Sequence, residues 1–408
     1  MAKPIVIAFF GSIVNALGNN RALGSSAFLG TPSDPTDCGL SSKATPPKNE
    51  GLLMNWLPDG QSAPTKSRST IRFSIILGLV AVTVSALCTA PFKPPFDWEV
   101  EISHAMEWKT QHPLTPLPDR FTKQRPNDPM DGAYSHNEKI DPRVTLPILG
   151  YLLRTGRLTV AIWNTLSCIA VFALLAALAL KTLGDTVSAA LFVLSLAPTN
   201  FAWWFLRDHV YGDGTAHALA LTAVLVRPRW LACTLLACAA FVDERCLATL
   251  PLLLLLAYLL GRPAYRALLW GAVLWGAGRI ILAWPFHLVT GSDGVMAHYI
   301  VVRNLSRFPD MFVVFLAAWL LPALAIFNWF TKGQKKLALM LSAAIACAAG
   351  PAFLIFDLLR SLTYCFSALL ISLHGIRDVR STRLVLGSIC AANFIWLAFR
   401  HGVSRQLF

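Results

Sequence analysis

From Trp230 to Leu260 the chain forms one apolar run whose only charged residues are Asp243, Glu244 and Arg245. A continuous helix of that length would rise about 46 Å against a hydrocarbon core of roughly 30 Å, so a single straight span is a poor fit. Arg227 and Arg229 precede the run, and Arg262 and Arg266 follow it. Basic residues collect on the cytoplasmic face, so both ends belong there and the chain must go up and come back with the triplet at the far turn. The two limbs hold only about 13 and 15 apolar residues, short for a full span, which sinks the turn partly below the membrane surface. Charges exposed to lipid cost several kcal/mol each, so the triplet needs a wet cavity or mutual pairing.

The whole composition agrees with a membrane setting: 55% of residues are hydrophobic, 14% are charged and the mean hydropathy is +0.55. An all-α, polytopic integral membrane protein follows. The formal charge of +13 does not indicate a nucleic-acid partner, because the lysines and arginines fall in short clusters at alternate ends of apolar runs, as topology requires. Of the nine cysteines, all but Cys38 lie in or beside apolar segments and read as small apolar residues.

Residues 1–70 form a cytoplasmic, disordered N-terminal region, and residues 71–408 form the helical membrane domain. Pro4 to Leu17 is weakly apolar without a convincing cleavage context, and Met54 is an alternative start of the functional chain. Lys66, Arg68 and Arg72 precede the first span, Phe73 to Thr89, and place the N-terminus in the cytoplasm. A large non-cytoplasmic loop, 91–157, comes next. Its final passage, DPRVTLPILGYLLRTG, has about ten apolar residues between Arg143 and Arg154, too few to cross, and reads as a helix in or dipping into the interface.

Further spans are expected at 158–180, 187–206, 215–226, the two limbs, 267–289, 311–330, 337–356, 361–374 and 384–399. That makes about eleven transmembrane helices, some short or broken. Alternation puts Lys181, Arg227, Arg262, Lys332 and Arg377 with their basic neighbours on one side, which supports the count. Trp203, Trp204, Trp230, Trp284 and Trp329 fall at predicted span ends, where indole is comfortable. No internal period is visible, which weakens an inverted-repeat transporter.

Mixed-sign clusters gather on the non-cytoplasmic side. Asp97 and Glu101 open the loop, Arg207, Asp208, His209 and Asp213 follow, then the triplet, and then Asp357 and Arg360. Such a cavity can hold an anion through arginine and move a proton through a carboxylate. The candidate substrate contacts are Glu101, Arg207, Asp208, Asp213, Glu244, Arg245 and Arg360, and the competing reading is that these groups neutralise one another at helix ends. Asp97, beside the first span, is the candidate base, with Glu99 and Glu101 as rivals. His209, Asp213 and His217 have the spacing of metal ligands on one helical face, but Gly212 and Gly214 interrupt the helix they need. Asp357 and Arg360 have the spacing of a local ion pair, although Arg360 can instead turn its fork to a phosphate. Arg245 is expected to bind an anionic ligand while Asp243 or Glu244 holds it. Asn304, in the sequon NLS, is expected on this side, close to the membrane.

This order of features resembles the GT-C superfamily of polytopic glycosyltransferases. DPRVTLPILGYLL is similar to their segment after the first loop, and FVDERCLATLP to the charged break of a later short span. The resemblance implies Asp97, in PFDWEVE, as catalytic base, and Asp208 or Asp213, in RDHVYGD, as a metal or acceptor ligand. It implies sugar transfer from a polyprenyl-phosphate carrier at the non-cytoplasmic face of a bacterial inner membrane. Membrane lipids and that lipid-phosphate-linked sugar are the expected partners, with room for a divalent cation. The alternatives are a transporter or flippase of an anionic or lipid-linked substrate, and a non-enzymatic scaffold or assembly factor.

Overall fold

The computed structural model describes residues 64–89, 97–118, 121, 143–155, 158–207, 212–262, 264–286, 297–355, 357–377 and 381–407. The N-terminal region up to residue 63, with the Met54 start, and the middle of the large loop lie outside them. Among the described residues the fold is all-α and multi-pass, with six helices long and apolar enough to cross a membrane.

The first span is α1, Pro64–Thr89, and the loop after it opens with α2, Asp97–Gln111. The dipping segment is α3, Thr145–Leu153, only nine residues long. It buries Leu146, Pro147 and Gly150 and exposes Tyr151 and Leu152, a one-sided pattern suited to an interface. α3 packs on α2, and Thr145 Oγ1 ties its start to the Cys238 carbonyl at 3.0 Å.

α4, Leu158–Leu183, leads through the turn at Gly184 to α5, Thr186–Leu196. Asp185 caps α5 through the Ser188 N–H at 2.9 Å. The expected span 187–206 is two helices, because Pro198 removes a backbone donor where the chain turns into α6, Asn200–Arg207. Next come α7, Asp213–Leu225, and α8, Arg229–Val242. A 3-10 turn, Glu244–Thr249, connects α8 to α9, Leu250–Leu259. α10, Tyr265–Phe286, and α11, Ala297–Ser306, follow, and then 3-10 turns lead into α12, Leu320–Thr331. The chain ends with α13, Lys335–Ala349, the short α14, Leu358–Leu362, α15, Phe366–Ile376, and α16, Thr382–Leu407.

Four of these helices, α4, α7, α9 and α15, pack in a ring and run in the same direction. Their starts meet where Gly214 N–H donates to Asn164 Oδ1 and where Asp213 meets Arg245 and Arg360. Their ends meet where Thr182 and His374 lie 3.5 Å apart and where Lys181 and Arg227 feel the charge of Arg262. Aligned dipoles make one pole of this ring electropositive and the other electronegative, and acids at the first pole and cations at the second offset them. The ring is the core. Every residue of α7 is buried, and 89% of the Leu358–Ile376 stretch is buried, against 17% of Tyr265–Trp284, which belongs to the lipid-facing layer.

Asn393, buried on α16, clasps that layer to the core. Its Nδ2 donates to the Ser195 carbonyl at 2.7 Å, and its Oδ1 accepts from Ala317 N–H at 2.8 Å, beside the left-handed Leu316. Asn304 is buried as well and donates to the carbonyls of Phe353 and Ile355 at 3.0 and 2.7 Å. The amide thereby serves as a tertiary strut in the fold.

Candidate functional site: a buried charge network at the acidic pole

Helix lengths place this pole below the membrane surface. α7 and α8, with 13 and 14 residues, rise only about 20 Å from the basic end, leaving Asp213 and Asp243 roughly 10 Å short of crossing a 30 Å core. Six charged side chains meet there, and their charges balance: Arg143, Arg245 and Arg360 against Asp213, Asp243 and Glu244.

Each carboxylate has a local reason for its position. Asp213 begins α7 because Gly212, with φ +73, turns the chain in the left-handed region that a side chain disfavours. Asp243 ends α8 in extended conformation and caps the 3-10 turn by accepting from Arg245 N–H at 3.1 Å. Glu244, one residue on, reaches outward and is 38% exposed, while the other five side chains are nearly or fully buried.

The pairing is reciprocal. Arg360 closes on Asp213 through Nε and Nη2, at 2.5 and 2.6 Å. Arg245 turns back on Asp243 through Nε at 2.9 and 3.0 Å and through Nη2, and that same Nη2 lies 3.5 Å from Asp213. Arg143, immediately before α3, spans Glu244 at 3.0 and 3.3 Å and touches Asp243 at 3.5 Å. Burying one such ion alone would cost several kcal/mol, whereas two-pronged arginine–carboxylate pairs offset that cost.

Beneath the ions lies an aromatic floor. The His217 ring stacks on Tyr364 at 4.1 Å, and its Nδ1 donates to the Asp213 carbonyl at 2.7 Å. The Arg245 guanidinium lies 5.9 Å over the Tyr364 ring. Tyr364 is buried, and its hydroxyl has no hydrogen-bond partner among the described residues.

The structure thus brings together Asp213, Glu244, Arg245 and Arg360 from the expected set. Asp97 and Glu101 lie on α2 and Arg207 ends α6, with their side chains outside what the structure describes, and Asp208 and His209 fall outside the described residues altogether. Arg360 meets Asp357 only at 3.9 Å, so its main partner is not the local one that spacing indicated. Of the two acids expected to hold Arg245, Asp243 does so, and Glu244 serves Arg143. The Asp213 carboxylate faces Arg360 while His217 uses the Asp213 backbone. Among the described residues no group of three or more His, Cys, Asp or Glu is placed to hold a metal.

Arg143 is the member that sequence reading passed over. An arginine just before a dipping apolar segment was the available signal, because such a charge must find a partner on entry. Comparison with family models, curated proteins and solved structures finds no match to this chain.

Proposed function

We propose that the chain transfers a sugar from a polyprenyl-phosphate carrier to an acceptor at the non-cytoplasmic face, within a GT-C-like bundle of about eleven spans. The observation that supports this reading is a chain of contacts. α2, which Asp97 opens, packs on α3, and Arg143 at the entry of α3 bonds Glu244 and Asp243 in the broken span. A base carried by the first loop is thereby tied to the pole where Arg143, Arg245 and Arg360 meet. Asp97 takes the acceptor proton, and the network fixes the shape of the pole, with Glu244 as its accessible edge.

One observation favours a second reading, transport of an anionic substrate. α8 and α9 are the two short limbs of a hairpin whose turn, Asp243 to Thr249, carries buried charge between apolar helices, and buried ionisable groups of this kind mark ion and substrate pathways in membrane proteins.

The test uses the protein in proteoliposomes with a panel of labelled polyprenyl-phosphate sugars. Asp97→Asn is expected to retain carrier binding and lose transfer, because an amide cannot accept the proton. Arg245→Lys keeps the charge and loses the fork, so weaker carrier binding at normal folded yield supports a phosphate contact. Normal turnover in Asp97→Asn would remove the proposed base, and carrier movement without transfer would favour the transporter.

A further inference from the structure

α8 and α10 rise side by side from the basic pole. A Cβ on Gly271 would lie 2.8 Å from the Cys233 carbonyl, and one on Gly278 would lie 2.6 Å from the Phe241 ring. Contact positions thus advance together along the two helices, which are parallel and closely packed. Arg229 stands four residues before Cys233, and Arg266 five before Gly271. At about 1.5 Å per residue the two arginines lie at one height to within a turn. Arg262 occupies the turn that leads into α10, where its backbone N–H donates to the Ala257 carbonyl at 2.9 Å and ties the turn to the end of α9.

Three arginines are therefore carried at one edge of this pole, and no carboxylate among the described residues pairs with any of them. Asp185 is the described acid of the pole, and Ser188 and Arg383 already engage it. Arg229 and Arg266 are exposed, and Arg262 is half-buried. The Arg266 guanidinium lies 5.7 Å over the Tyr265 ring. Trp230, next to Arg229, is 71% exposed, and Tyr265 is 48% exposed. Amphipathic rings at the starts of membrane helices belong at the level of lipid headgroups. Further along α10, Leu269, Trp270 and Val273 present an exposed apolar strip.

We propose that this edge binds the phosphate headgroup of an anionic phospholipid, whose chains lie along Leu269 and Val273. Charge and depth together define the ligand. A guanidinium fork takes phosphate oxygens two at a time, and basic clusters between membrane helices hold anionic headgroups. Trp230 and Tyr265 set the arginines at the height where a headgroup phosphate sits, and the apolar strip beyond them continues in the direction of the chains. A soluble phosphate compound would use the arginines and leave that strip bare. The edge is at the pole opposite the charge network, so the proposal holds whether or not the chain is a transferase.

Native mass spectrometry of delipidated protein, offered phosphatidylglycerol or phosphatidylcholine, reads occupancy directly. Wild type is expected to retain phosphatidylglycerol in preference. Arg229→Gln and Arg266→Gln should each reduce that preference roughly fivefold, the worth of one cation near an anionic lipid surface. Both side chains are exposed and sit on different helices, so either variant tests the site if the other folds poorly. Lys336→Gln removes an exposed cation from a different loop of the same pole and should leave the preference unchanged. Equal retention of the two lipids by wild type, an equal loss in Lys336→Gln, or displacement of bound lipid by soluble glycerol phosphate would each overturn the proposal.

Discussion

Arg360 reaches back 147 residues to place both edges of its guanidinium on Asp213, at 2.5 and 2.6 Å, in a site where both side chains are 3% exposed or less. The contact joins the start of α7 to the start of the α14–α15 unit and so fixes two members of the parallel ring at one height. Removing one partner leaves the other as a buried charge, and for Asp213 the remaining cation among the described residues is Arg245 at 3.5 Å. Arg360→Met is therefore expected to lower stability by about 3–5 kcal/mol. Asp213→Leu combined with Arg360→Met should recover a large part of that loss, because paired apolar replacement removes both desolvation penalties. Unfolding in mixed micelles of the two single variants and the double variant gives the coupling, and additive losses would mean the pair holds nothing together.

Gly212 places Asp213, and its substitution separates two effects. Alanine there must adopt φ +73, and its Cβ would lie 2.2 Å from Leu146 Cδ1 on α3. Gly184 has nearly the same φ, +70, with nothing within 4 Å. Gly184→Ala should thus report backbone strain alone, about 1–2 kcal/mol. Gly212→Ala should cost more, because the buried Leu146 side chain of α3 must also move aside. Equal thermal shifts for the two variants in detergent would show that α3 yields freely and does not brace the network.

The break in the long apolar run was legible because it depends on counting: a helix of that length overshoots a bilayer, and the structure stops α8 at Val242. The brevity of α3 was legible for the same reason. Partner choice was not. Spacing sees only local neighbours, so Arg360 was matched with Asp357, which is 32% exposed and 3.9 Å away, while a deeper carboxylate from a distant helix took the fork. Arg143 escaped notice because it closes a polar stretch at the edge of an apolar one, and only packing brings it to Glu244. The break at Pro198 was hidden by an unbroken hydropathy signal, although proline alone marked it.

At the basic pole, Asp185 joins α5 to α16. Its carboxylate accepts from the Ser188 hydroxyl at 2.6 Å and the Ser188 N–H at 2.9 Å, and from Arg383 Nε and Nη2, both at 2.9 Å. Those bonds, the ones from Ser188 foremost, hold its carboxyl well below the usual carboxylate range. A depressed folded value stabilises the fold above the ordinary aspartate pKa of about 3.9, and that contribution is lost as pH falls through the folded value. Asp185→Asn should therefore be less stable than wild type from pH 7 down to pH near 4, with the gap narrowing only below that. Salt should weaken the Arg383 component, since that side chain is 68% exposed, and leave the Ser188 cap. A gap that closed between pH 7 and 5 would assign the effect to another group.

The side of the membrane on which the network opens decides which lipids and substrates can reach it. α13 starts at Lys335 and leads through the 3-10 turn Gly350–Leu354 to Arg360, so the loop at Lys332 to Lys336 is at the pole opposite the network. Thr115 follows α2, which packs on α3 at the network end, and it is exposed. Gly333 has φ +75, unsuited to a side chain, so Gln334, exposed with φ −84, is the better cysteine position. In a background free of the nine native cysteines, Thr115→Cys is expected to react with an impermeant maleimide on intact cells, and Gln334→Cys only after permeabilisation. Lys332, Lys335 and Lys336 are the reason to expect this orientation, because lysine is retained on the cytoplasmic side during insertion. The reverse labelling pattern would turn the charge network toward the cytoplasm and would remove the basis for transfer at the outer face.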